Sequence, residues 1–348
     1  MSKILVTGGC GMIGFHAAKY YREQGHEVDV IDNLERSRLL GHEVSTERAF
    51  FNEDLLWGMG VSIEHDDVSE AISFDQYDGH DVIIHMAGQC GVPTSIDNPR
   101  RDFEVNTLGT FNVLEYARKH GAAVVLASTN KVYPLHDGFI LNENVKRWEF
   151  ANPQWHHNGF PVTNELVGAR TPYGNSKYAA DLLCQEYAHT YGVRTGVFRM
   201  SCIYGPNQIL GFEEQGWAVF FIIAVLKGWP LNIFGDGNQV RDMLYVEDCV
   251  KAYDAFVQSD VQHGVWNLGG GVYNTLSLHE HLEYLARATG RRTELTYGDW
   301  RPLDQKCYVS NLNPIRNAFG WQPTVSPSEG TDRTIEFIRD NLGLFDDA

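Results

Sequence analysis

Five short apolar runs, separated by segments with helical spacing, constrain the fold of this 348-residue chain more than any other feature. The runs cover residues 4–6, 28–31, 81–85, 122–127 and 195–199. Residues 13–24, 104–120 and 177–191 carry apolar side chains at the spacing of amphipathic helices. Apolar runs without polar alternation are typical of strands that are buried on both faces of a parallel sheet. The pattern therefore predicts an α/β fold with a Rossmann-like, doubly wound parallel sheet.

The alternating pattern ends near residue 206, which indicates a second structural unit. Beyond it lie a region rich in aromatic residues, Gly and Pro, and two predicted helices at 276–289 and 328–341. We predict a Rossmann domain and a smaller α+β C-terminal lobe. The domain comprises residues 1–204 with a return segment at about 240–262, and the lobe comprises 205–239 and 263–348.

The formal net charge of −17 limits the partners of the chain. A field of that sign repels nucleic acid and anionic lipid, so we expect neither as a partner, and an anionic substrate requires local arginines. The longest apolar run, residues 217–226, is too short to span a bilayer, and the first strand begins too close to Met1 for a secretory signal. Six cysteines without a CxxC pair are expected to be reduced. We therefore predict a cytoplasmic protein.

Residues 134–171 form a long connection without clear periodicity. Connections of that length in compact domains are usually functional or disordered. His156 and His157 lie within it, but no cysteine or pair of carboxylates accompanies them. Since a metal site needs such a ligand set, we predict loop residues here and no metal site.

A glycine-rich turn follows the first apolar run and opens the first helix. Gly8, Gly11 and Gly14 allow a tight turn and the close approach of a pyrophosphate, which the helix N-terminus then attracts. Met12 and Ile13 supply further backbone N–H groups of that first turn. These five residues are the predicted pyrophosphate-binding turn.

An acidic residue ends the second apolar run. Asp32, followed by Asn33, can accept hydrogen bonds from an adenosine ribose and repels a 2′-phosphate. This favours NAD over NADP as the cofactor, although Arg36 and Arg38 follow closely.

Two further strand ends suit the same dinucleotide. Asp67 and Val68 precede a helix and are predicted to hold the adenine. Ala87, Gly88 and Gln89 follow the third run, where small residues let a dinucleotide lie across the strand ends.

A predicted catalytic group combines a tyrosine, a lysine and a threonine. Tyr173 and Lys177 lie one helical turn apart, on one face at the start of the long helix that includes residues 177–191. A free tyrosine has a pKa of about 10, and lowering it by ~3 units requires about 4 kcal/mol, which a nearby cation can supply. Thr129, at the end of the fourth run, can bond a substrate hydroxyl. Together the three residues suit the reversible oxidation of an alcohol.

With these motifs, the whole chain resembles the extended short-chain dehydrogenase/reductase family, and within it the nucleotide-sugar epimerases and dehydratases. The resemblance implies an NAD cofactor, a nucleotide-diphosphate-sugar substrate and a homodimer formed through helices near 104–120 and 177–191. It adds Asn106, Ser128, Tyr173 and Lys177 to the predicted cofactor residues, and it makes Arg241 and Arg301 resemble phosphate-binding arginines. The implied substrate-binding residues are Ser95, Thr129, Asn130, Cys202, Gln215, Trp217, Arg241 and Arg301.

Cys202 departs from the family pattern, because many relatives carry an asparagine there. Several stretches, including Ser128–Tyr133 and Asp304-Gln305, most resemble the CDP-tyvelose (CDP-paratose) 2-epimerase subfamily. That resemblance implies epimerisation at carbon 2 of a CDP-linked sugar through a keto intermediate.

Other reactions remain open from the sequence. The alternatives are 4-epimerisation of a UDP-sugar, decarboxylation, 4,6-dehydration and a nonenzymatic NAD-binding regulator. Dehydratases of the family carry an acidic pair directly after the threonine, whereas this chain has Asn130 and Lys131, which argues against dehydration. Retention of both Tyr173 and Lys177 argues against the regulator.

Overall fold

A seven-stranded parallel sheet forms the centre of the computed structural model, which describes residues 1–36, 45–135, 137–209 and 216–346. The strands in the described residues are β1 (Lys3–Thr7), β2 (Glu27–Ile31), β3 (Ser62–Glu64), β4 (Val82–His85), β5 (Ala123–Thr129), β6 (Phe139–Asn142), β7 (Arg147–Phe150), β8 (Thr195–Met200), β9 (Cys202–Tyr204), β10 (Leu231–Phe234), β11 (Val240–Tyr245), β12 (His263–Leu268), β13 (Thr275–Ser277), β14 (Leu295–Gly298) and β15 (Cys307–Tyr308).

Helices connect these strands. The α-helices in the described residues are α1 (Met12–Glu23), α2 (Thr46–Gly58), α3 (Val92–Asp97), α4 (Pro99–Phe103), α5 (Gly109–His120), α6 (Pro153–Asn158), α7 (Pro172–Tyr191), α8 (Trp217–Lys227), α9 (Val246–Val257), α10 (Leu278–Thr289), α11 (Asn313–Phe319) and α12 (Pro327–Asp340). A π-helical turn, Glu104–Leu108, joins α4 to α5. Short 3₁₀ turns cover Ala71–Phe74, Asn130–Val132 and Leu342–Phe345.

The central sheet has the strand order β3-β2-β1-β4-β5-β8-β12, with every pair parallel. This is the doubly wound order, which reverses direction between β1 and β4. The five predicted strands correspond to β1, β2, β4, β5 and β8, so the predicted Rossmann-like fold is confirmed.

Both faces of the sheet are covered, which explains why its strands lack polar alternation. Strand β5 is buried along its whole length. Its Val125 packs on one face with the residues around α1 and α9, whereas Val124 and Leu126 pack on the other face with α5 and α7. Each such buried aliphatic side chain contributes about 1.5–3 kcal/mol relative to exposure, so the sheet cannot slip in register without a large loss.

Helix α8 is the central element of the C-terminal lobe. It contains the longest apolar run of the sequence, and eight of its residues are buried, among them Ile222 and Val225. It packs against α10 and α12, around the short parallel pair β10–β14. Within the described parts of the chain, no helix combines the length and the apolar character that crossing a membrane requires.

One strand lies outside its predicted unit. Strand β12 pairs with β8 and forms an edge of the central sheet, although we predicted residues 263–348 to belong to the lobe. The sheet contacts of β12 extend the return segment from 262 to Leu268. With the return segment extended to Leu268, the division of the chain into two domains stays a prediction.

The long connection at 134–171 is ordered in its described residues by aromatic packing. Strands β6 and β7 form an antiparallel hairpin in it, and helix α6 follows. Phe150 and Phe160 pack with Tyr133 and Tyr308, which come from other parts of the chain. The sequence shows no period here because the cluster is assembled from separate segments. His156 and His157 lie in α6, which contains no buried residue.

Three buried histidines make the stability of the fold depend on pH. Burial lowers the pKa of His85 to about 3, and the pKa values of His16 and His281 to about 4, from an ordinary value of 6.5. Between these values the unfolded chain binds protons that the folded chain does not bind. The stabilisation is therefore complete above pH 6.5 and is lost as the pH falls.

We expect the free energy of unfolding, measured by urea titration, to fall from pH 6.5 to pH 5 by up to about 1.4 kcal/mol per pH unit for each histidine. His281→Gln should make this slope shallower, because its amide can still donate to the carbonyl of Ala218 but does not titrate. A free energy of unfolding that is constant over this range in the wild-type protein would contradict the prediction.

Candidate active site

The carboxyl ends of the central strands border one cleft, with a cavity of about 450 Å³. Ligands of doubly wound sheets bind at this edge, next to the reversal of strand order. Of the predicted cofactor residues, the cleft wall contains Gly8, Gly11, Met12, Ile13, Gly14, Asp32, Asn33, Asp67, Val68, Ala87, Gly88, Gln89, Ser128, Tyr173 and Lys177. Of the predicted substrate residues, it contains Thr129, Asn130, Cys202, Trp217 and Arg241.

The glycine turn between β1 and α1 leaves no room for a side chain at Gly8 or Gly14. Gly8 has a left-handed φ of +69°, and a Cβ atom there would lie 2.6 Å from the backbone nitrogen of Ala87. A Cβ atom on Gly14 would collide with the carbonyl oxygen of Gly8. Helix α1 begins after Gly11 without a side-chain cap, so its first N–H groups suit a pyrophosphate. The turn therefore fits a dinucleotide cofactor.

The carboxylate of Asp32 is held beside this turn. It accepts hydrogen bonds from the backbone N–H groups of Cys10 and Leu34, both at 2.9 Å. Burial raises the pKa of Asp32, and these two hydrogen bonds oppose that effect. The position suits recognition of ribose hydroxyls. Arg36 also lines the cleft, whereas Arg38 lies outside the described residues.

Asp67 belongs to an ion-pair network that the sequence did not indicate. Arg101 reaches its carboxylate at 2.5 Å and also bonds Glu35 at 2.6 Å, while Asn33 donates to Asp67 at 2.8 Å. Burial alone would raise the pKa of Asp67, but hydrogen bonds, led by those from Ser69 and Arg101, lower it to about 2. Asp67 is thus ionised and fixed at the predicted adenine end of the cleft.

Behind the cleft, a chain of hydrogen bonds, each with a defined donor and acceptor, connects the two loops that are predicted to bind the cofactor. The hydroxyl of Thr110 donates to the carbonyl of Asn106 at 2.7 Å, so it accepts from Nε2 of His85 at 3.0 Å. Nδ1 of His85 then accepts from the hydroxyl of Thr7 at 2.7 Å, and that hydroxyl accepts from the N–H of Ala87 at 3.3 Å. The neutral state of His85 makes this arrangement possible.

Asn106 lies behind the cleft wall, in the π-helical turn. Its side-chain amide donates to the carbonyl of Gln89 and to the hydroxyl of Ser176, both at 3.0 Å. The carboxylate of Asp102 accepts hydrogen bonds from the hydroxyl of Ser176 and, at 3.0 Å, from the side-chain amide of Gln89. Asn106 therefore supports the loop that contains Gly88 and Gln89 and connects it to helix α7. Asp102 and Ser176 had no sequence signal beyond their nearness to motif residues.

The structure brings the three predicted catalytic residues together. Tyr173 and Lys177 are buried in α7, and Thr129 ends β5 opposite them. Burial raises the pKa of Tyr173, and a hydrogen bond with Thr129 opposes this. Burial also lowers the pKa of Lys177. The low tyrosine pKa expected from the Tyr–Lys spacing is therefore not produced by the protein groups, because desolvation of the phenolate outweighs the hydrogen bond with Thr129.

The side chains of Ser128 and Asn130, which flank Thr129, form hydrogen bonds with different parts of the structure. The hydroxyl of Ser128 donates to Asp181 at 3.1 Å, and Asp181 forms a buried ion pair with Arg199 at 2.8 Å. The amide of Asn130 donates to Oε1 of Gln305 at 2.9 Å. The end of β5 is thus fixed to helix α7 on one side and to the C-terminal lobe on the other.

A charge cluster lies on the lobe side of the cleft. Oδ1 of Asp304 accepts from Nζ of Lys131 at 3.2 Å and from Nη2 of Arg241 at 3.0 Å. Cys202 and Trp217 share this part of the wall. Burial raises the pKa of the Cys202 thiol to about 12, although Arg241 opposes this, so Cys202 is a neutral group.

Two of the predicted substrate residues, Ser95 and Arg301, are not part of the cleft wall. The hydroxyl of Ser95 donates to the carbonyl of Val92 at 2.7 Å within helix α3 and is buried there. The guanidinium of Arg301 stacks on the ring of Phe234 at 4.1 Å, and Arg301 is not among the residues of the wall. Gln215 lies outside the described residues. In the described part of the chain, no group of three potential ligands is arranged to hold a metal ion.

Known proteins share both the sequence pattern and the fold. A model of the NAD dependent epimerase/dehydratase family matches residues 4–269. The chain is 33% identical to a CDP-paratose 2-epimerase from Salmonella typhi, over 96% of this chain and 98% of that protein.

Two solved structures are similar over nearly the whole chain. One is a UDP-glucose 4-epimerase with UDP-glucose from Thermotoga maritima, with a TM-score of 0.79, 28% identity, and coverage of 98% of this chain and 99% of that one. The other is a UDP-glucose 4-epimerase complex with NAD from Thermus thermophilus, with a TM-score of 0.74, 28% identity, and coverage of 97% and 99%.

Gly14→Ala should weaken NAD binding by at least about tenfold, because its methyl group displaces the turn whose N–H groups face the pyrophosphate. The measurement is titration calorimetry with NAD. Gly58→Ala is the matched control, since a Cβ atom at this helix-end position meets no atom within 4 Å. A folded Gly14→Ala protein with wild-type affinity for NAD would show that the turn does not hold the cofactor.

Proposed function

The chain belongs to the NAD dependent epimerase/dehydratase family, and we propose that it is a nucleotide-sugar epimerase similar to CDP-paratose 2-epimerase. The observation that carries this proposal is the meeting of Thr129, Tyr173 and Lys177 in a cleft that also contains the glycine turn. A hydroxyl, a phenol and an ammonium beside a dinucleotide site suit reversible oxidation of a sugar alcohol.

NAD fits the cleft through the residues described above. We propose that the turn from Gly8 to Gly14 holds its pyrophosphate, that Asp32 holds the adenosine ribose and that Asp67 lies at the adenine. Lys177, whose Nζ lies close to Gly88, is placed for the second ribose. When bound, NAD supplies the hydride acceptor and donor, and the positive charge of its oxidised ring favours ionisation of a nearby phenol.

The protein residues handle the proton of the sugar hydroxyl. We assign Tyr173 the role of the base that takes this proton and later returns it to the same oxygen. Thr129, which already bonds Tyr173, orients the hydroxyl. Epimerisation then requires the keto sugar to turn in the pocket before its carbon is reduced on the other face. The buried positions of both side chains exclude water from this step.

The end of β5 does not suit elimination of water. A dehydratase needs an additional acid–base pair beside the threonine. Here the amide of Asn130 bonds Gln305, and Lys131 is paired with Asp304. Epimerisation is therefore favoured over dehydration.

The second candidate function is 4-epimerisation of a UDP-sugar. The similarity to UDP-glucose 4-epimerase structures from two organisms favours it. The catalytic residues are the same for both reactions, because only the sugar carbon presented to Tyr173 differs. The higher identity to CDP-paratose 2-epimerase leads us to rank the CDP-sugar first.

We expect NMR spectroscopy to show inversion at one stereocentre when the NAD-loaded protein is given a panel of CDP-, UDP-, dTDP- and GDP-sugars. Inversion at carbon 2 of a CDP-sugar supports the first function, and inversion at carbon 4 of a UDP-sugar supports the second. Tyr173→Phe should lower kcat by at least about a hundredfold, because the general base is lost, while NAD binding is retained. Tyr178→Phe, five residues along the same helix, is the control. Undiminished epimerisation by Tyr173→Phe would contradict the assignment.

We also propose a homodimer that forms through α5 and α7. Large apolar side chains are exposed along these helices and the turn that precedes α5, including Leu108, Phe111, Leu182 and Tyr191. The two helices pack against each other, so their outer faces form a continuous surface. Contiguous exposed apolar surface of this kind marks interaction sites.

All six cysteines are free, which supports the proposed cytoplasmic location.

Phe111→Glu combined with Leu182→Glu should convert the dimer into a monomer, because two charges per subunit would be buried in the interface. Light scattering should give a mass of 39.3 kDa for this variant and twice that mass for the wild type. Ile72→Glu, at an exposed residue distant from both helices in the sequence, should leave the mass unchanged. A wild-type mass of one chain would refute the dimer.

A further inference from the structure

We propose that Lys131 and Arg241 jointly bind the sugar-proximal phosphate of the substrate, so that Lys131 selects the carbon that reacts. The inference rests on the proposed function, because it assigns a substrate contact within the same site. Oδ1 of Asp304 accepts hydrogen bonds from both Lys131 and Arg241. Two cationic groups that reach one oxygen atom are close enough for one phosphate group to contact both.

The orientation of the cluster leaves these cations available to a ligand. Lys131 and Arg241 line the cleft, whereas Asp304 is not part of its wall. The carboxylate of Asp304 therefore bonds both side chains from outside the cleft wall. Asp304 is itself fixed, because its Oδ1 also accepts from the N–H of Gln305 at 3.0 Å. An ammonium has three donors and a guanidinium has five, so both keep donors for a phosphate.

The charges of the cluster favour an anion. Two cations share one carboxylate, and the side chains of Lys131 and Arg241 are only 21% and 13% exposed. Interactions at such partly buried groups are screened less than those at the surface. The chain as a whole carries −17, so a local positive site is needed to hold a diphosphate against the overall field.

The place of Lys131 along the chain connects this phosphate to the reacting carbon. Lys131 follows Thr129 by two residues, and its backbone N–H donates to the hydroxyl of Thr129 at 3.2 Å, so its ammonium lies within one side-chain length of the proposed catalytic threonine. In a nucleotide sugar, carbon 2 is bonded to the anomeric carbon that carries the phosphate, whereas carbon 4 lies across the ring. A phosphate held beside Thr129 therefore favours reaction at carbon 2.

The test compares binding of a nucleoside diphosphate and of its monophosphate to the NAD-loaded protein by titration calorimetry. CDP and CMP are the probes, or UDP and UMP where the wild type binds uridine more tightly. Lys131→Met should weaken diphosphate binding by about tenfold and change monophosphate binding by less than about twofold, because only the diphosphate has the second phosphate. Lys131→Arg should restore most of the diphosphate affinity.

Lys306→Met is the matched control. Lys306 lies in the same segment as Asp304, but its ammonium stacks on Trp148 at 4.1 Å and does not line the cleft. Its replacement removes the same charge and should change neither affinity. Equal weakening of both nucleotides by Lys131→Met, or no weakening, overturns the phosphate assignment. So does weaker binding of UDP-glucuronate without weaker binding of UDP, because Lys131 would then recognise a sugar carboxylate.

The outcome of this binding test can be distinguished from the outcome of the test of the proposed function. A wild-type protein that turns over no nucleotide sugar refutes the proposed function, whereas the binding comparison still decides whether Lys131 holds a phosphate. A wild-type protein that inverts only carbon 4 overturns the link between Lys131 and carbon 2.

Discussion

The parallel register of the central sheet is the constraint on which the site depends. Thr7 at the end of β1 pairs with Ile31 of β2 and with His85 of β4, so these strands end at one level. Strand β4 ends opposite Leu126, whereas β5 continues for three more residues to Thr129. At about 3.3 Å per residue, this extension raises the threonine well above the floor of the cleft. The turns predicted to bind the cofactor thus form the floor, and the end of β5, with the proposed catalytic Thr129, forms a wall.

Interactions behind the cleft preserve this arrangement. The chain from Ala87 through Thr7 and His85 to Thr110 fixes the cofactor loops relative to each other, and Asn106 extends it to helix α7. These groups are buried, and an unpaired buried polar group costs about 1–3 kcal/mol, so each bond favours one geometry. Tyr173 and Lys177, the proposed catalytic pair, lie on the helix that this network holds.

The same strand end also connects the central sheet to the predicted C-terminal lobe. Asn130 and Lys131 bond Gln305 and Asp304, which belong to a segment more than 170 residues away in the sequence. The substrate side of the site therefore depends on how the lobe docks on the sheet. In the proposed function, this dependence joins the position of the sugar to the position of its phosphates, which would be the physical basis for selecting one carbon of the ring.

The sequence by itself determined the sheet, the glycine turn and the identity of Thr129, Tyr173 and Lys177 as a group, because each depends on local periodicity or fixed spacing. It did not reveal that β12 belongs to the central sheet or that the connection at 134–171 is ordered, since both follow from distant contacts. Only the tertiary structure decided that burial raises the pKa of Tyr173, that Arg301 stacks on Phe234, and that Lys131 shares a carboxylate with Arg241. Desolvation and charge pairing depend on which segments meet in space, and no local pattern records that.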